Sequence, residues 1–478
     1  MAQFSSALRL TDLDDFIAPS QDCIKPVKVE RLPGSKAGKL AIENDGDYYQ
    51  IDEQGTKTPL PKAKITLNDC LACSGCVTSA ETVLIRQQSG EEMCRVLDES
   101  LAAPPESCGH RFPVVSLSPQ SRVSLAARYG LTLKETEEKL TTVLKGFGVA
   151  RVYDTTVANH VALIESGKEF LRRYGGDVTS SPGPLPMLTS SCPGWVCYAE
   201  KTQGSYVLPF ISTTKSPQQI MGSLVKDYIA DINGVRPNSV YHIAVMPCYD
   251  KKLEASRDDF YNDVFRTKDV DCVVTSVEIE RLLEDKRIDF LSVDATPLDT
   301  LPGHIRENPQ DHCGGGSGGY LEFVLRYAAR EVYGHTLDKI TYKTVRNVDF
   351  KETTLELEGK PVFKFAAAYG FRNIQNVVQK IKRNKCSYQF VELMACPSGC
   401  LNGGGQIRPQ EGQNAKDLVM RLNDVYAMAD MVDPLTCGGV SRLYADWLNG
   451  EDSEKAQKCL HTQYHAVEKI ENAFNIKW

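Results

Sequence analysis

Residues 388–406 read Y-Q-F-V-E-L-M-A-C-P-S-G-C-L-N-G-G-G-Q. The first part, Tyr388–Met394, is rich in β-branched, aromatic and apolar residues, which predicts a buried strand. Cys396 and Cys400 follow in a turn of proline, serine and glycine. Because ligands of open α/β sheets bind outside the carboxyl ends of strands, these thiols are candidates for one metal centre, with buried core cysteines as the alternative. Glycines 403–405 would let the backbone approach a bulky inorganic group closely.

The composition excludes several classes of function. The 478 residues carry 55 basic and 62 acidic side chains, a formal net charge of −7, so no nucleic-acid surface is expected. We find no apolar run as long as a membrane span and no signal-like start, so we expect a cytoplasmic protein, with the nucleus as an alternative location. Sixteen cysteines in a reducing compartment favour metal or redox chemistry over disulfides.

A second cysteine motif reads D-C-L-A-C-S-G-C-V at 69–77 and contains Cys70, Cys73 and Cys76. Gaps of two residues let successive thiolates face one small cluster, as in bacterial-type ferredoxin loops. Zinc is the rival metal, but zinc sites usually use two separated C-x-x-C pairs, so we favour an iron–sulfur cluster. The fourth ligand must come from elsewhere in the chain. The candidates are Cys23, Cys94 and Cys108.

From about residue 111 strands alternate with helices, which predicts parallel-rich α/β lobes. Thr275 and Glu278 form a predicted capping box at the start of one helix. We predict four domains. They are an N-terminal segment with a ferredoxin-like cluster loop at 1–110, a first lobe at 111–265, a second lobe at 266–425, and a C-terminal helical region with a tail at 426–478.

Three of the predicted strands end at a cysteine. P-M-L-T-S-S-C ends at Cys192, H-I-A-V-M-P-C at Cys248 and F-V-E-L-M-A-C at Cys396, with Cys400 four residues later. Two of these strands belong to the first predicted lobe and one to the second. The pattern therefore predicts a four-thiolate metal site in a cleft between the lobes.

A glycine run, C-G-G-G-S-G-G-Y at 313–320, superficially suggests a dinucleotide-binding loop. No clear strand precedes it, because 301–312 is polar and contains two prolines. A glycine run without that context is weak support for a nucleotide. We therefore expect no nucleotide cofactor and a tight loop that faces the cleft.

Several of these motifs resemble the active-site motifs of iron-only hydrogenases. They are T-S-S-C-P-G-W (189–195), T-K-S-P-Q-Q (214–219), M-P-C-Y-D-K-K (246–252), the glycine loop 314–319 and M-A-C-P-S-G-C-L-N-G-G-G-Q (394–406). Together with D-D-F-I-A-P-S-Q-D-C-I-K-P-V at 14–27, they are similar to the eukaryotic hydrogenase-like cytosolic iron–sulfur assembly factors, relatives of the nuclear prelamin A recognition factor.

The resemblance implies a two-lobed iron-only-hydrogenase-like α/β domain, preceded by the ferredoxin-like segment and followed by a small-subunit-like region. It implies two [4Fe–4S] clusters. The first would be held by Cys23, Cys70, Cys73 and Cys76, and the second by Cys192, Cys248, Cys396 and Cys400. In hydrogenases the last of these cysteines also bridges to a two-iron subcluster, which the lysine matching Lys251 contacts.

Two departures from the hydrogenase pattern argue against dihydrogen turnover. Hydrogenases read T-S-C-C-P and relay protons through the first cysteine, where this chain has Ser191. A serine hydroxyl does not exchange protons as a thiol does. Ser166 also stands where hydrogenases tend to carry a carboxylate. We therefore expect no hydrogenase activity.

The resemblance implies a component of the cytosolic iron–sulfur assembly machinery, an adaptor that links the early scaffold to the late targeting complex. The alternatives are a hydrogenase-type redox enzyme and a prelamin-binding protein of the nuclear envelope. The chain ends N-I-K-W, similar to the tails that dock on the targeting complex, with Lys477 in place of their acidic or small residue. We therefore expect Trp478 to be a partner-binding residue.

Overall fold

The computed structural model describes residues 87–104, 107, 109–176, 183–301, 312–410 and 412–466, and the backbone of short strands before residue 60. The chain divides into two compact units, Met1–Ser79 and Ala80–Trp478. The first unit contains a three-stranded antiparallel sheet of Lys39–Ile42, Tyr48–Ile51 and Lys57–Pro59, and a strand pair of Phe4–Ser5 with Val27–Lys28. Five predicted site residues lie outside the described residues: Cys23, Cys70, Cys73, Cys76 and Trp478.

The second unit is built on two sheets with helices packed around them. Its strands are β1 (Phe112–Leu117), β2 (Arg151–Asp154), β3 (Met187–Thr189), β4 (Val240–Met246), β5 (Tyr261–Asn262), β6 (Thr267–Lys268), β7 (Cys272–Thr275), β8 (Lys343–Thr344), β9 (Phe350–Leu357), β10 (Lys360–Tyr369) and β11 (Phe390–Met394). Strands β5 and β6 form a separate short hairpin.

The α-helices of this unit are α1 (Gly90–Ala102), α2 (Pro119–Tyr129), α3 (Leu133–Gly146), α4 (Thr156–Gly175), α5 (Pro193–Tyr198), α6 (Pro217–Ser223), α7 (Asp250–Ala255), α8 (Ser276–Asp285), α9 (Tyr320–Tyr333), α10 (Phe371–Lys382), α11 (Ala415–Tyr426), α12 (Gly438–Asp446) and α13 (Glu454–Leu460). Helix α6 continues through a wider helical turn, Leu224–Ile229, into Ala230–Ile232. No helix in the described residues is long and apolar enough to cross a membrane.

The first sheet, which we call the parallel sheet, has the strand order β7-β4-β1-β2, and every neighbouring pair is parallel. Strand β4 is buried at all seven positions, as expected for a central strand covered on both faces. The capping box predicted at the end of β7 is present, because the Glu278 carboxylate accepts hydrogen bonds from the Thr275 N–H (2.8 Å) and hydroxyl (2.9 Å).

The second sheet, which we call the mixed sheet, has the strand order β8-β9-β10-β11-β3. Strands β8, β9 and β10 are antiparallel neighbours, whereas β10, β11 and β3 run parallel. Helix α10 covers this sheet with an apolar face. Its buried apolar residues are Ile374, Val377, Val378 and Ile381.

The main hydrophobic core joins the two sheets. It combines Val114 and Val240 of the parallel sheet with Phe365 and Phe390 of the mixed sheet, and Phe170 of helix α4 packs against both of these phenylalanines. A second core covers the parallel sheet with helices α1, α3 and α8. Parallel strands connected by helices confirm the predicted α/β class.

The two sheets do not follow the predicted division into lobes at residue 266. Strand β7 was assigned to the second lobe, but it pairs with β4 in the parallel sheet. Strand β3 was assigned to the first lobe, but it pairs with β11 in the mixed sheet. The assignment of these two strands is therefore corrected, because pairing between distant segments overrides their order along the chain. The boundaries after residues 110 and 425 stay predictions.

Candidate metal centre

The three strands that end at cysteines deliver them to one place. Strands β3 and β11 are parallel neighbours, with Thr189 opposite Glu392, so Cys192 and Cys396 leave the same edge of the mixed sheet. Strand β4 brings Cys248 from the parallel sheet. The prediction placed the strands before Cys192 and Cys248 in one lobe. The structure instead places the strands before Cys192 and Cys396 in the mixed sheet and the strand before Cys248 in the parallel sheet.

All four predicted thiols of the second site line one cavity of about 60 Å³. That is several times the room that one water molecule needs. Cys192 is buried, and the Ala395 N–H lies 3.4 Å from its sulfur. Cys400 Sγ lies 3.9 Å from the sulfur of Met394, which also lines the cavity. The structure therefore brings together the four cysteines that the strand ends predicted.

The surroundings make these thiols hard to ionise. Burial, followed by the charge of Cys192 as a neighbouring thiolate, raises the pKa of Cys400 to about 12. Burial and the neighbouring charges raise the pKa of Cys248 and of Cys396 well above the usual range. Four thiolates would repel each other here unless a cation neutralised them. Thiolate is the form that binds metals, so a metal-centred cation that bound here would displace the thiol protons and offset this repulsion.

The glycines after Cys400 allow a close approach between protein segments, whereas their predicted approach to a bulky inorganic group stays a prediction. A Cβ at Gly403 would press into the Pro247 carbonyl oxygen, and the Gly405 N–H donates to that same oxygen at 2.9 Å. A Cβ at Gly405 would lie 2.6 Å from the Thr275 methyl carbon. The close approach is therefore between backbones that belong to the two sheets, although Gly403 also lines the cavity.

The glycine loop before helix α9 faces the cavity, as predicted, because Cys313, Ser317 and Gly318 line it. The Ser317 hydroxyl accepts a hydrogen bond of 3.1 Å from the Cys400 N–H. Ser317 and Cys313 are cavity-lining residues that were not predicted from the sequence. A serine and a cysteine that flank glycines in a loop predicted to face the cleft were the available signal.

Two charged residues stand next to Cys248. Burial, followed by the negative charge of Asp250, raises the pKa of Cys192 and of Cys248. Lys251 lines the cavity, but its ammonium group donates to the Ser216 hydroxyl at 3.0 Å and to the Glu254 carboxylate at 2.8 Å. Asp250 was missed, because an acidic residue in the first turn of a helix is common and carries no specific signal.

Ser191 also lines the cavity, and its hydroxyl lies 4.0 Å from the Met394 sulfur. Glu165, which precedes Ser166, is not among the residues that line this cavity. Burial alone would raise the pKa of Glu165, but a hydrogen bond from His461, the charge of Lys168 and a hydrogen bond from Tyr444 lower it to about 2. This carboxylate is thus ionised and held by the C-terminal part of the chain.

Comparison with known families gives the class of protein. The family described as the iron-only hydrogenase large subunit, C-terminal domain, matches residues 111–404, and the iron hydrogenase small subunit matches residues 438–467. A variant of apo [FeFe]-hydrogenase HydA1 from Chlamydomonas reinhardtii has a similar structure, with a TM-score of 0.68 and 27% identity over 78% of this chain and 98% of that chain. The fold is that of the iron-only hydrogenase large subunit.

Two relatives make the assignment narrower. The chain is 55% identical over its whole length, and the whole length of the relative, to the "Cytosolic Fe-S cluster assembly factor narfl" of Xenopus tropicalis. It is 54% identical, over 99% of each chain, to the "Cytosolic iron-sulfur assembly component 3" of Mus musculus. The chain therefore belongs to the family of cytosolic Fe–S cluster assembly factors that share the hydrogenase fold.

Proposed function

We propose that the chain is an iron–sulfur protein of the cytosolic cluster assembly machinery, and that it carries two [4Fe–4S] clusters. Cys192, Cys248, Cys396 and Cys400 hold one of them. The other is held by the N-terminal set Cys23, Cys70, Cys73 and Cys76. Its role is that of an adaptor between an early scaffold and a late targeting complex, which helps cytosolic and nuclear apoproteins to receive their clusters.

The observation that carries this proposal is the convergence of four thiols, from both sheets, on one cavity. Within the part of the chain that the structure describes, no three His, Cys, Asp or Glu side chains come close enough to share a single metal ion. A [4Fe–4S] cluster requires a different arrangement, in which each thiolate binds its own iron. Such a cluster supplies one-electron chemistry when bound, and the protein's part is to hold and shield it.

The assembly role is supported by the names of the relatives, which are cytosolic iron–sulfur assembly proteins in a frog and a mouse. High identity over the whole chain supports a shared role. The alternative of a redox enzyme draws support from the hydrogenase fold, whereas Ser191 in place of the proton-relaying cysteine argues against it.

Metal analysis of anaerobically purified protein tests the clusters. We expect about eight iron and eight acid-labile sulfide per chain, because each four-thiolate set suits one cubane. The variant Cys386→Ala should keep this iron and sulfide content, because Cys386 is half-buried and is not among the residues that line the cavity. Tightly bound zinc without sulfide would overturn the proposal.

Capture of the targeting complex tests the adaptor role. Deleting Trp478 should leave the iron content and the fold unchanged and weaken capture, because a terminal indole and carboxylate suit a peptide-binding pocket. Lys477→Ala is the control, since it keeps both groups. Undiminished capture by the truncated chain would show that the tail does not bind the partner.

A further inference from the structure

A second, smaller cavity of about 30 Å³ also has Cys192 and Ser191 in its wall. Cys197, near the end of helix α5, lines it as well. Its remaining wall includes Thr462 and Tyr464, which come from the last described part of the chain. One thiol of the proposed cluster site is therefore in contact with a cavity that the C-terminal segment helps to close.

We call residues 461–466 the strap. It follows helix α13 and runs antiparallel to Ser212–Lys215, with an isolated bridge between Thr214 and His461. The backbone hydrogen bonds are few: Lys215 N–H donates to the Leu460 carbonyl, and Thr462 N–H donates to the Thr213 carbonyl, both at 2.8 Å. The strap is thus joined to the rest of the unit by a short ladder of two backbone hydrogen bonds.

Side chains supply most of the attachment at the beginning of the strap. His461 lies with Nδ1 at 3.0 Å from the Thr213 hydroxyl and Nε2 at 3.2 Å from the Glu165 carboxylate. Glu165 also accepts a hydrogen bond of 2.6 Å from Tyr444 and pairs with Lys168 at 3.1 Å. Loss of the histidine would therefore leave Glu165 with partners.

The far end of the strap is also held by polar contacts. The Tyr464 hydroxyl donates to the Ser212 carbonyl at 2.9 Å, and its ring packs against the main core. The His465 backbone N–H donates to the Glu200 carboxylate at 2.9 Å, and the ring Nε2 pairs with the Asp259 carboxylate at 2.9 Å. Gln463, His465 and Ala466 are exposed.

Segments with few buried apolar contacts and short hydrogen-bond ladders open locally at much lower free energy than the global fold. Within the strap, Tyr464 is the apolar side chain that packs against the main core. We propose that the strap is a lid over the Cys192 side of the cluster site, and that its local opening gives external reagents and acceptors access to that side. The proposal rests on the proposed function, because what the lid shields is the bound cluster.

The test measures loss of iron to a colorimetric ferrous chelator from full-length, anaerobically loaded protein. Every sample also carries Cys73→Ala, which removes the N-terminal cluster. The chelated iron then comes from the second cluster alone. His461→Ala should accelerate iron loss about tenfold, since it removes a hydrogen bond to a charged group. Tyr464→Phe should accelerate it about threefold, because it removes one neutral hydrogen bond and keeps the ring.

Two comparisons separate a lid from general destabilisation. Gln463→Ala changes an exposed strap residue and should leave the rate unchanged. His461→Gln can still donate to Glu165 and should recover part of the wild-type rate. Because opening of the strap exposes little surface, the rate of iron loss should depend only weakly on urea in every variant at concentrations below the unfolding transition.

Equal rates in all variants, or rates that rise with urea as steeply as global unfolding does, would overturn the lid. Absence of iron and sulfide at the second site before any kinetics would instead overturn the proposed function. The two failures are therefore distinguishable.

Discussion

The parallel sheet and the mixed sheet present the same geometry to the cavity but use it differently. Parallel strands of both sheets end at the cavity. The mixed sheet contributes Cys192, Cys396 and Cys400, whereas the parallel sheet contributes Cys248. Residues at two other strand ends of the parallel sheet cap helices. Ser118 after β1 accepts from the Ser121 N–H in α2, and Thr275 at the end of β7 forms a capping box with Glu278 of α8. A strand end is therefore a general site for polar groups, and the residue type decides between helix cap and metal ligand.

The difference also predicts how the site ties the sheets together. The mixed sheet alone can position its three thiols. The parallel sheet contributes one thiol to the site, Cys248. A bound cluster would therefore act as a cross-link between the sheets through this residue.

The largest expected effect is that of Cys248→Ala. It should reduce iron from about eight to about four per chain, and lower the free energy of unfolding of the loaded protein by about 4 kcal/mol, because ligand binding to the folded state is lost. Cys396→Ala should act in the same way, whereas Cys73→Ala should lose one cluster and keep the stability of the second unit. Denaturant unfolding of loaded samples measures this.

The apoprotein is the control for that comparison. Without metal, Cys248→Ala and wild type should unfold at nearly the same denaturant concentration, since the cross-link is absent from both. Equal destabilisation in loaded and apo samples would mean that the thiol matters for packing and not for a cluster.

The second effect concerns Glu392 in strand β11 of the mixed sheet. Burial raises its pKa to about 7, although the carboxylate accepts hydrogen bonds from the Leu321 N–H (2.8 Å) and the Tyr369 hydroxyl (2.7 Å). The folded state therefore binds more protons than the unfolded state between about pH 4.3 and 7, and stability is lost as pH rises through that window. From pH 5 to 8, this group should cost about 3 kcal/mol.

Glu392→Gln is the matched variant, because the amide cannot ionise and the Tyr369 hydroxyl can turn to accept from it. Denaturant unfolding at pH 5 and pH 8 should show the variant gaining on wild type as pH rises. A constant difference between the two proteins would show that Glu392 is ionised throughout.

A third, smaller effect tests the contact between the sheets at the glycines. Gly403→Ala should destabilise the protein by about 1–3 kcal/mol, since its new Cβ meets the Pro247 backbone, which must move. The φ of Gly403 is −63°, so conformational strain is not the cause. Gly315→Ala, in the glycine loop, meets no atom within 4 Å and should be close to neutral.

The smallest effect is expected at Ser191. Ser191→Cys should leave stability and iron content unchanged and should not create dihydrogen evolution from a reduced dye. A thiol restores one proton-exchanging group, but the resemblance implies that the two-iron subcluster needs dedicated maturation enzymes. Infrared bands of carbonyl and cyanide ligands in wild-type protein would contradict this expectation.

Local features of the fold and site were predictable from the sequence. The apolar run before Cys396 predicted strand β11, and Thr275 with Glu278 predicted the start of helix α8, because both depend on neighbouring residues. Sheet membership was not predictable. Thr189 and Glu392 are paired although they lie far apart in the sequence, and no residue near either one indicates the other.

Site residues were missed where their local sequence carries no specific signal. Ser317 reaches Cys400 only through the tertiary fold. Asp250 lies two residues after Cys248, but its local sequence is that of an ordinary helix start. The cysteines were found because a thiol at a strand end is itself unusual. The N-terminal ligands and Trp478 stay predictions, since they lie outside the described residues.

The pairing of β3 with β11 has a consequence for biosynthesis. A ribosome adds roughly 5–20 residues per second, so the approximately 200 residues between Thr189 and Glu392 take about 10–40 s to make. During that interval Cys192 and Cys248 have already emerged, while the strand that leads to Cys396 does not yet exist. We therefore expect the metal centre to be filled on a finished polypeptide, after translation, and not on a nascent one.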